Sequence, residues 1–239
     1  MKAEGWLLLL AVALYAYDSL LLLSSNEAVL VRGWRGRWLA GFGAHRWKLA
    51  GKEPLLPNLF TPHRPLFRLA WRFEGERVTK RQIQTLRVPG ALDTFGVFVF
   101  VSMICLFMLL PIGLFGASLA FTAGAVALLY ANNLIAMTLV FRRRQALHLT
   151  TRQFGMLAFE CLVCPPFSIN LVRKLCGRVP IDESFTVAAR RCLRQPDLAE
   201  AHVQCLIRLE EQVDAAAEHS ERMQLLLAAK ARFAPVEDT

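Results

Sequence analysis

Apolar positions along this chain form three long runs, and shorter apolar stretches are broken by glycine, proline and basic side chains. The first long run, Trp6 to Leu23, is eighteen residues. As a helix it would measure about 27 Å, just enough to span a hydrocarbon core. Its length and its continuation through Leu20–Leu23, without a small-x-small cleavage pattern, predict an uncleaved helix rather than a signal peptide. The second run is Phe95 to Phe115 and the third is Ala117 to Phe141. Pro111, Gly113 and Gly116 fall between their centres and predict a tight reversal. One continuous helix would be about twice too long for a bilayer, so an antiparallel helical hairpin is expected.

Between the first two runs the period changes. EAVLVRGW, RGRWLAGFG, HRWKLAG and PLFRLAWRF are rich in branched and aromatic residues and are separated by glycine and proline. They predict three to five short strands. RVTKRQIQTLRVPG, residues 77–90, reads as a short helix or strand leading into the second run. After the third run, Phe154 to Val163 is too short to span, and Pro165 and Pro166 break it. A broken helix at the membrane interface is expected there, with Arg173 and Lys174 on its wet side. Beyond residue 178 the pattern turns amphipathic. Asp182 or Ser184 is positioned to cap a helix over SFTVAARRCLRQ, and Pro196-Asp197 to start another, with Asp197 and Glu200 in capping-box spacing. Leu198, Cys205, Leu206, Leu209 and Val213 recur at helical spacing and continue through Met223, Leu226 and Leu227 toward a disordered tail.

The expected fold class is an integral membrane α-helical protein with three spans, a small β-rich cytoplasmic loop unit and a helical C-terminal region. Its parts are a first transmembrane helix (1–23), a basic β-rich unit (24–93), a transmembrane hairpin (94–141), an interfacial broken helix (142–178) and a cytoplasmic helical tail (179–239).

Composition agrees with a membrane setting. Apolar residues make up 55% and mean hydropathy is +0.37. Charge orients the chain. The net charge is +9, and it divides as −1 over 1–23, +8 over 24–93, zero over 94–141, +6 over 142–178 and −4 over 179–239. Lys and Arg therefore gather at both mouths of an uncharged hairpin, with Arg142, Arg143 and Arg144 directly after it. The positive-inside rule then expects a multi-pass protein of the bacterial inner (plasma) membrane, N-terminus outside and C-terminus cytoplasmic.

Candidate chemistry is sparse. Trp34, Trp38, Trp47 and Trp71 interleave with Arg35, Arg37, Arg46 and Arg72. This pattern suits a sheet with one solvated basic face, or a surface that meets anionic headgroups. A nucleic-acid partner is disfavoured because no reading module accompanies it. Trp34, Arg35, Trp38, Trp47, Arg142, Arg143, Arg144, Arg173 and Lys174 are the candidate membrane-interface residues. Asp18, Asn132 and Asn133 are the polar residues within the spans, expected in local hydration or helix–helix contact. Ala120, Gly124 and Ala123, Ala127, Ala131 form two small-residue ridges. Cys161-x-x-Cys164, with Cys176 and Cys192, is a weak metal or redox pattern, since no second Cys-x-x-Cys or close His pair completes it. Small apolar packing is the plainer reading of these thiols. No phosphate loop, HExxH or EF-hand motif appears. The expected function is a non-enzymatic inner-membrane subunit or scaffold, without cofactor, that contacts anionic lipid headgroups and binds a protein partner or a second copy of itself. The alternatives are a thiol-redox or zinc-binding membrane protein using Cys161 and Cys164, and an accessory transporter subunit using Asp18.

Overall fold

The leucine-rich first run does not stay helical to its end. In the computed structural model, which describes residues 3–33, 36–45, 47–71, 89–116, 118–178 and 183–214 together with 224, 226 and 227, helix α1 is Ala3–Ser19 and strand β1 is Leu21–Leu23. The expected span over Trp6–Leu23 is thus corrected to a helix of 17 residues, about 25 Å long. Leu21–Leu23 instead pair with β4, Glu53–Leu55. Leucine is apolar enough for either state, and Leu23 is fully buried in the strand.

The chain is mostly helical with a small antiparallel sheet, and it falls into two units. One comprises Met1–Leu21, Leu56–Phe67 and Thr85–Pro180; the other comprises Leu22–Leu55, Arg68–Gln84 and Ile181–Thr239.

The first unit contains the hairpin. Helix α2 (Pro89–Ile104) runs into a π-helical turn (Cys105–Leu109) and then α3 (Leu110–Phe115); α4 is Leu119–Arg142. Leu92–Phe115 and Leu119–Arg142 are both long and apolar enough to cross a membrane. Pro111 and Gly113 do not end the first arm, contrary to expectation. Pro111 lacks an N–H and its ring crowds the preceding turn. The π turn widens the ladder just before it, with the Leu110 amide donating to the Cys105 carbonyl. The first arm ends at Phe115, and Ser118 Oγ accepts from the Phe121 amide and starts α4. Gly113 serves close packing instead. A Cβ there would lie 2.5 Å from Thr122 Oγ1 and 3.1 Å from Thr122 Cα. Gly113→Ala should therefore cost about 1–3 kcal/mol, read as a lower unfolding temperature in detergent. Gly124→Ala, with nothing within 4 Å of its added methyl, should cost nothing.

Helix α5 (Thr151–Val163) opens on a capping box between Thr150 and Gln153. After Cys164 the prolines turn the chain through a 3-10 segment, Pro165–Asn170, into α6, Leu171–Cys176. Residues 77–88 of the stretch leading into the hairpin lie outside the described residues, as do Trp34, Arg35, Asp182 and Met223.

In the second unit β2 (Glu27–Arg32) pairs antiparallel with β3 (Trp38–Gly41), Val29 opposite Gly41 and Arg32 opposite Trp38. With β5 (Leu66–Ala70) the order is β3-β2-β5. Of HRWKLAG, the described residues form only an isolated bridge between Leu49 and Lys52 rather than the expected strand. Alternate residues Ala28 and Leu30 of β2, with Leu69 and Trp71, present one face. Onto it pack Phe185, Ala188 and Ala189 of α7 (Phe185–Cys192) and Ala201 and Cys205 of α8 (Gln195–Asp214). The Leu198 and Cys205 part of the amphipathic stripe is thereby packed against the sheet. The expected dozen-residue helix over SFTVAARRCLRQ is shortened to eight residues by a break at Leu193-Arg194. Ser184 stands at the N-cap of α7 without a capping hydrogen bond, and Asp197 lies within the first turn of α8 rather than at its cap.

Candidate functional site

The buried polar side chains of the first unit gather into two hydrogen-bonded groups. Near the end of α1, one helical turn places Tyr15, Asp18 and Ser19 on neighbouring positions. Asn170, Arg173 and Lys174 do the same at the 3-10 segment and α6. Lys174 Nζ lies 2.9 Å from Asp18 Oδ1 and 2.9 Å from Glu160 Oε2, and its ammonium sits 4.5 Å above the Phe167 ring. Arg178 approaches the other Glu160 oxygen at 3.6 Å. Asn170 Nδ2 donates to Asp18 Oδ2 at 3.0 Å and to Ser19 Oγ at 2.9 Å. Arg173 Nη2 donates to the carbonyls of Asn58 at 2.6 Å and Thr61 at 3.3 Å. The Tyr15 hydroxyl donates to the Leu59 carbonyl. Burial by itself pushes the Lys174 ammonium down, but hydrogen bonds from it to Asp18 and Glu160 outweigh this and raise its pKa.

The second group lies between α2, α4, α5 and the 3-10 segment. Asn132 Nδ2 donates to the Phe98 carbonyl at 2.9 Å and to Ser102 Oγ at 3.0 Å. Ser102 in turn donates to Asn133 Oδ1 at 3.3 Å, and Asn133 Nδ2 reaches the Cys161 carbonyl at 3.2 Å. Ser168 Oγ stands 3.1 Å from Ser102 Oγ. Asn133 and Ser102 are each only 1% exposed, so these bonds replace water that the side chains have lost.

Asp18, Asn132 and Asn133, singled out from sequence, are thus joined to protein partners. Arg173 and Lys174, expected on a wet face, are turned inward instead, where carbonyls of the 58–61 segment accept from Arg173 and carboxylates of α1 and α5 accept from Lys174. Glu160, Asn170, Ser19, Ser102, Ser168 and Arg178 were missed. Glu160 carried a signal, as the sole acidic residue of 142–178. Among the other interface candidates, Trp38 is half-buried against the sheet core and Trp47 is 77% exposed. Arg142 ends α4, Arg143 Nη1 donates to Thr94 Oγ1 at 3.1 Å, and Arg144 lies over the Phe141 ring at 4.5 Å.

The cysteines are not brought together as a ligand set. Cys161 and Cys176 are buried, Cys164 is half-buried, and Cys192 belongs to the other unit. Among the described residues no group of three or more His, Cys, Asp or Glu is arranged to hold a metal. Burial pushes the Cys161 and Cys176 thiols up to about 12 and raises Cys164 as well. That direction opposes thiolate chemistry, which needs a lowered pKa. The chemistry available here is therefore cohesive: two carboxylates and two cations neutralise one another where α1, α5 and α6 meet. Comparison with known protein families, curated proteins and solved structures finds no match to this chain.

Proposed function

We propose that this chain is a three-span protein of a bacterial inner membrane, with its N-terminus outside, that acts as a non-enzymatic subunit or scaffold. In this reading α1, the α2–α3 arm and α4 cross the bilayer, the basic flanks face the cytoplasm and anionic headgroups, and a protein partner or second copy packs against the hairpin. One observation carries it: the hairpin is inside out relative to a water-soluble protein. Leu119, Leu134, Ile135, Val97, Phe100 and Ile112 are exposed, Leu119 by 85%, while Ser102, Asn132 and Asn133 are buried. Water would favour the reverse, and lipid favours this. The charged group around Lys174 sits at the end of α1, where an interface would leave it least costly.

Ala120, Ala123, Gly124, Ala127 and Ala131 are all exposed on α4, and such ridges allow close helix approach between chains. Replacing Gly124 and Ala127 by leucine should abolish co-purifying partners or oligomers in mild detergent and leave the unfolding temperature unchanged. Unaltered assembly would remove the hairpin from the partner role. For orientation, Trp47→Cys should react with an impermeant maleimide only after cells are permeabilised. Reaction in intact cells would reverse the topology.

A further inference from the structure

We infer that the second unit carries a phosphate-binding pocket between the β2–β3 turn and the α7–α8 junction. A cavity of about 230 Å³ there is lined by Gly36, Arg37, Trp38, Cys192 and Arg194. Arg37 and Arg194 are 157 positions apart in the chain, and the fold places both at one cavity. Among the described residues neither guanidinium has a hydrogen-bond or ion-pair partner, and no carboxylate lines the cavity.

The absence of acid is not for want of nearby candidates. Arg191, one turn of chain away, is paired with Glu183 at 2.9 Å. Asp197 and Glu200, only a few residues beyond Arg194, line a separate pocket with Leu39, Ala40 and Phe42. Acids and arginines thus line separate pockets. The Arg37 and Arg194 guanidiniums, with no counter-charge among the described residues, repel one another, and an anion between them relieves that repulsion. Planar forks match the oxygens of a phosphate group bidentately. The volume lies below the range of about 300–1,000 Å³ typical of larger ligands, so it suits a phosphomonoester with a few carbons rather than a nucleotide. Trp38, which also lines the cavity, is the apolar residue available to those carbons. Gly36, at φ +74°, holds the turn in the left-handed region that glycine adopts without strain.

Phosphomonoesters occur both in solution and on lipid headgroups, and Cys192 in the pocket wall reports on either. The full chain is placed in phosphatidylcholine nanodiscs, and alkylation of Cys192 by N-ethylmaleimide is followed by mass spectrometry. Millimolar glycerol 3-phosphate slowing that reaction identifies a soluble ester as ligand. Slowing only when phosphatidic acid is included in the disc identifies the headgroup. In either case Arg37→Gln and Arg194→Gln, both at exposed positions, should each weaken protection by about tenfold, the effect of losing one charge-assisted fork. An unchanged rate with both ligands overturns the inference, as does undiminished protection in both variants. A soluble ester would bind whether or not the hairpin enters a bilayer, so failure here and failure of the membrane reading are separable.

Discussion

Arg208→Ala is expected to destabilise the sheet-containing unit by about 3–5 kcal/mol, the usual cost of removing one partner of a buried ion pair. Arg208 and Glu53 side chains are only 2% and 3% exposed, and their charged atoms meet at 3.1 Å through both Nε and Nη2. Nη2 also donates to the Gly43 carbonyl at 2.8 Å, Nη1 donates to Gln204 Oε1 at 3.0 Å, and the guanidinium lies 4.8 Å over the Phe42 ring. One side chain of α8 therefore ties together the 42–43 segment and β4. Truncation leaves the Glu53 carboxylate buried without a cation, along with an unpaired carbonyl. The approach is also tight from the other side, since a Cβ at Gly43 would fall 2.3 Å from Glu53 Cβ. The measurement is thermal unfolding of the purified chain, with a drop on the order of 10 °C. An Arg208→Met, Glu53→Leu double variant should lose less than Arg208→Ala alone, because no charge is then stranded. Equal loss in both would show that packing, not charge, sets the cost.

Lys174→Met is the second large effect, at about 2–4 kcal/mol on the helical unit. It is set below the Arg208 case because the Glu160 side chain is 32% exposed and keeps Arg178 nearby. Asp18, 13% exposed, would keep only the Asn170 bond on its carboxylate. Asp18→Asn should cost less, since Lys174 retains Glu160. The same cluster carries a pH signature. A raised lysine pKa means that the folded state holds its proton more tightly than the unfolded chain. Its stabilisation is then fully present below the ordinary lysine range and is lost as pH rises through the raised value. Unfolding temperature in detergent should stay level through neutral and mildly alkaline pH, then fall above that range. In Lys174→Met this alkaline fall should shrink. An unaltered alkaline limb in the variant would assign it to other groups.

Much of the helical architecture was legible because its signal is continuous. An uncharged stretch from 94 to 141 with a glycine-containing interruption has few solutions, and a hairpin is one of them. What misled was local punctuation. Pro111 reads as a helix end, yet a π turn one step earlier absorbs it. Leu20–Leu23 reads as helix because hydropathy does not distinguish a leucine in a helix from one in a strand; pairing with Glu53–Leu55 decides. The polar site was half visible. Asp18, Asn132 and Asn133 stand out against apolar neighbours, but the Asn170 that binds Asp18 lies 152 residues away. Arg208 looks like an ordinary surface residue of an amphipathic helix until the fold buries it against Glu53.

Hydropathy, charge placement and helix-breaking residues are additive along the chain, so the sequence by itself determined where the apolar arms lie, how the basic residues flank them and where the amphipathic helices run. Which charge meets which is not additive along the chain. Only the tertiary structure turned Arg173 and Lys174 inward, set the tail helices on the sheet and brought Arg37 to Arg194. Electrostatic and hydrogen-bond energies depend on distances of a few ångströms, and those distances come into being when remote segments pack.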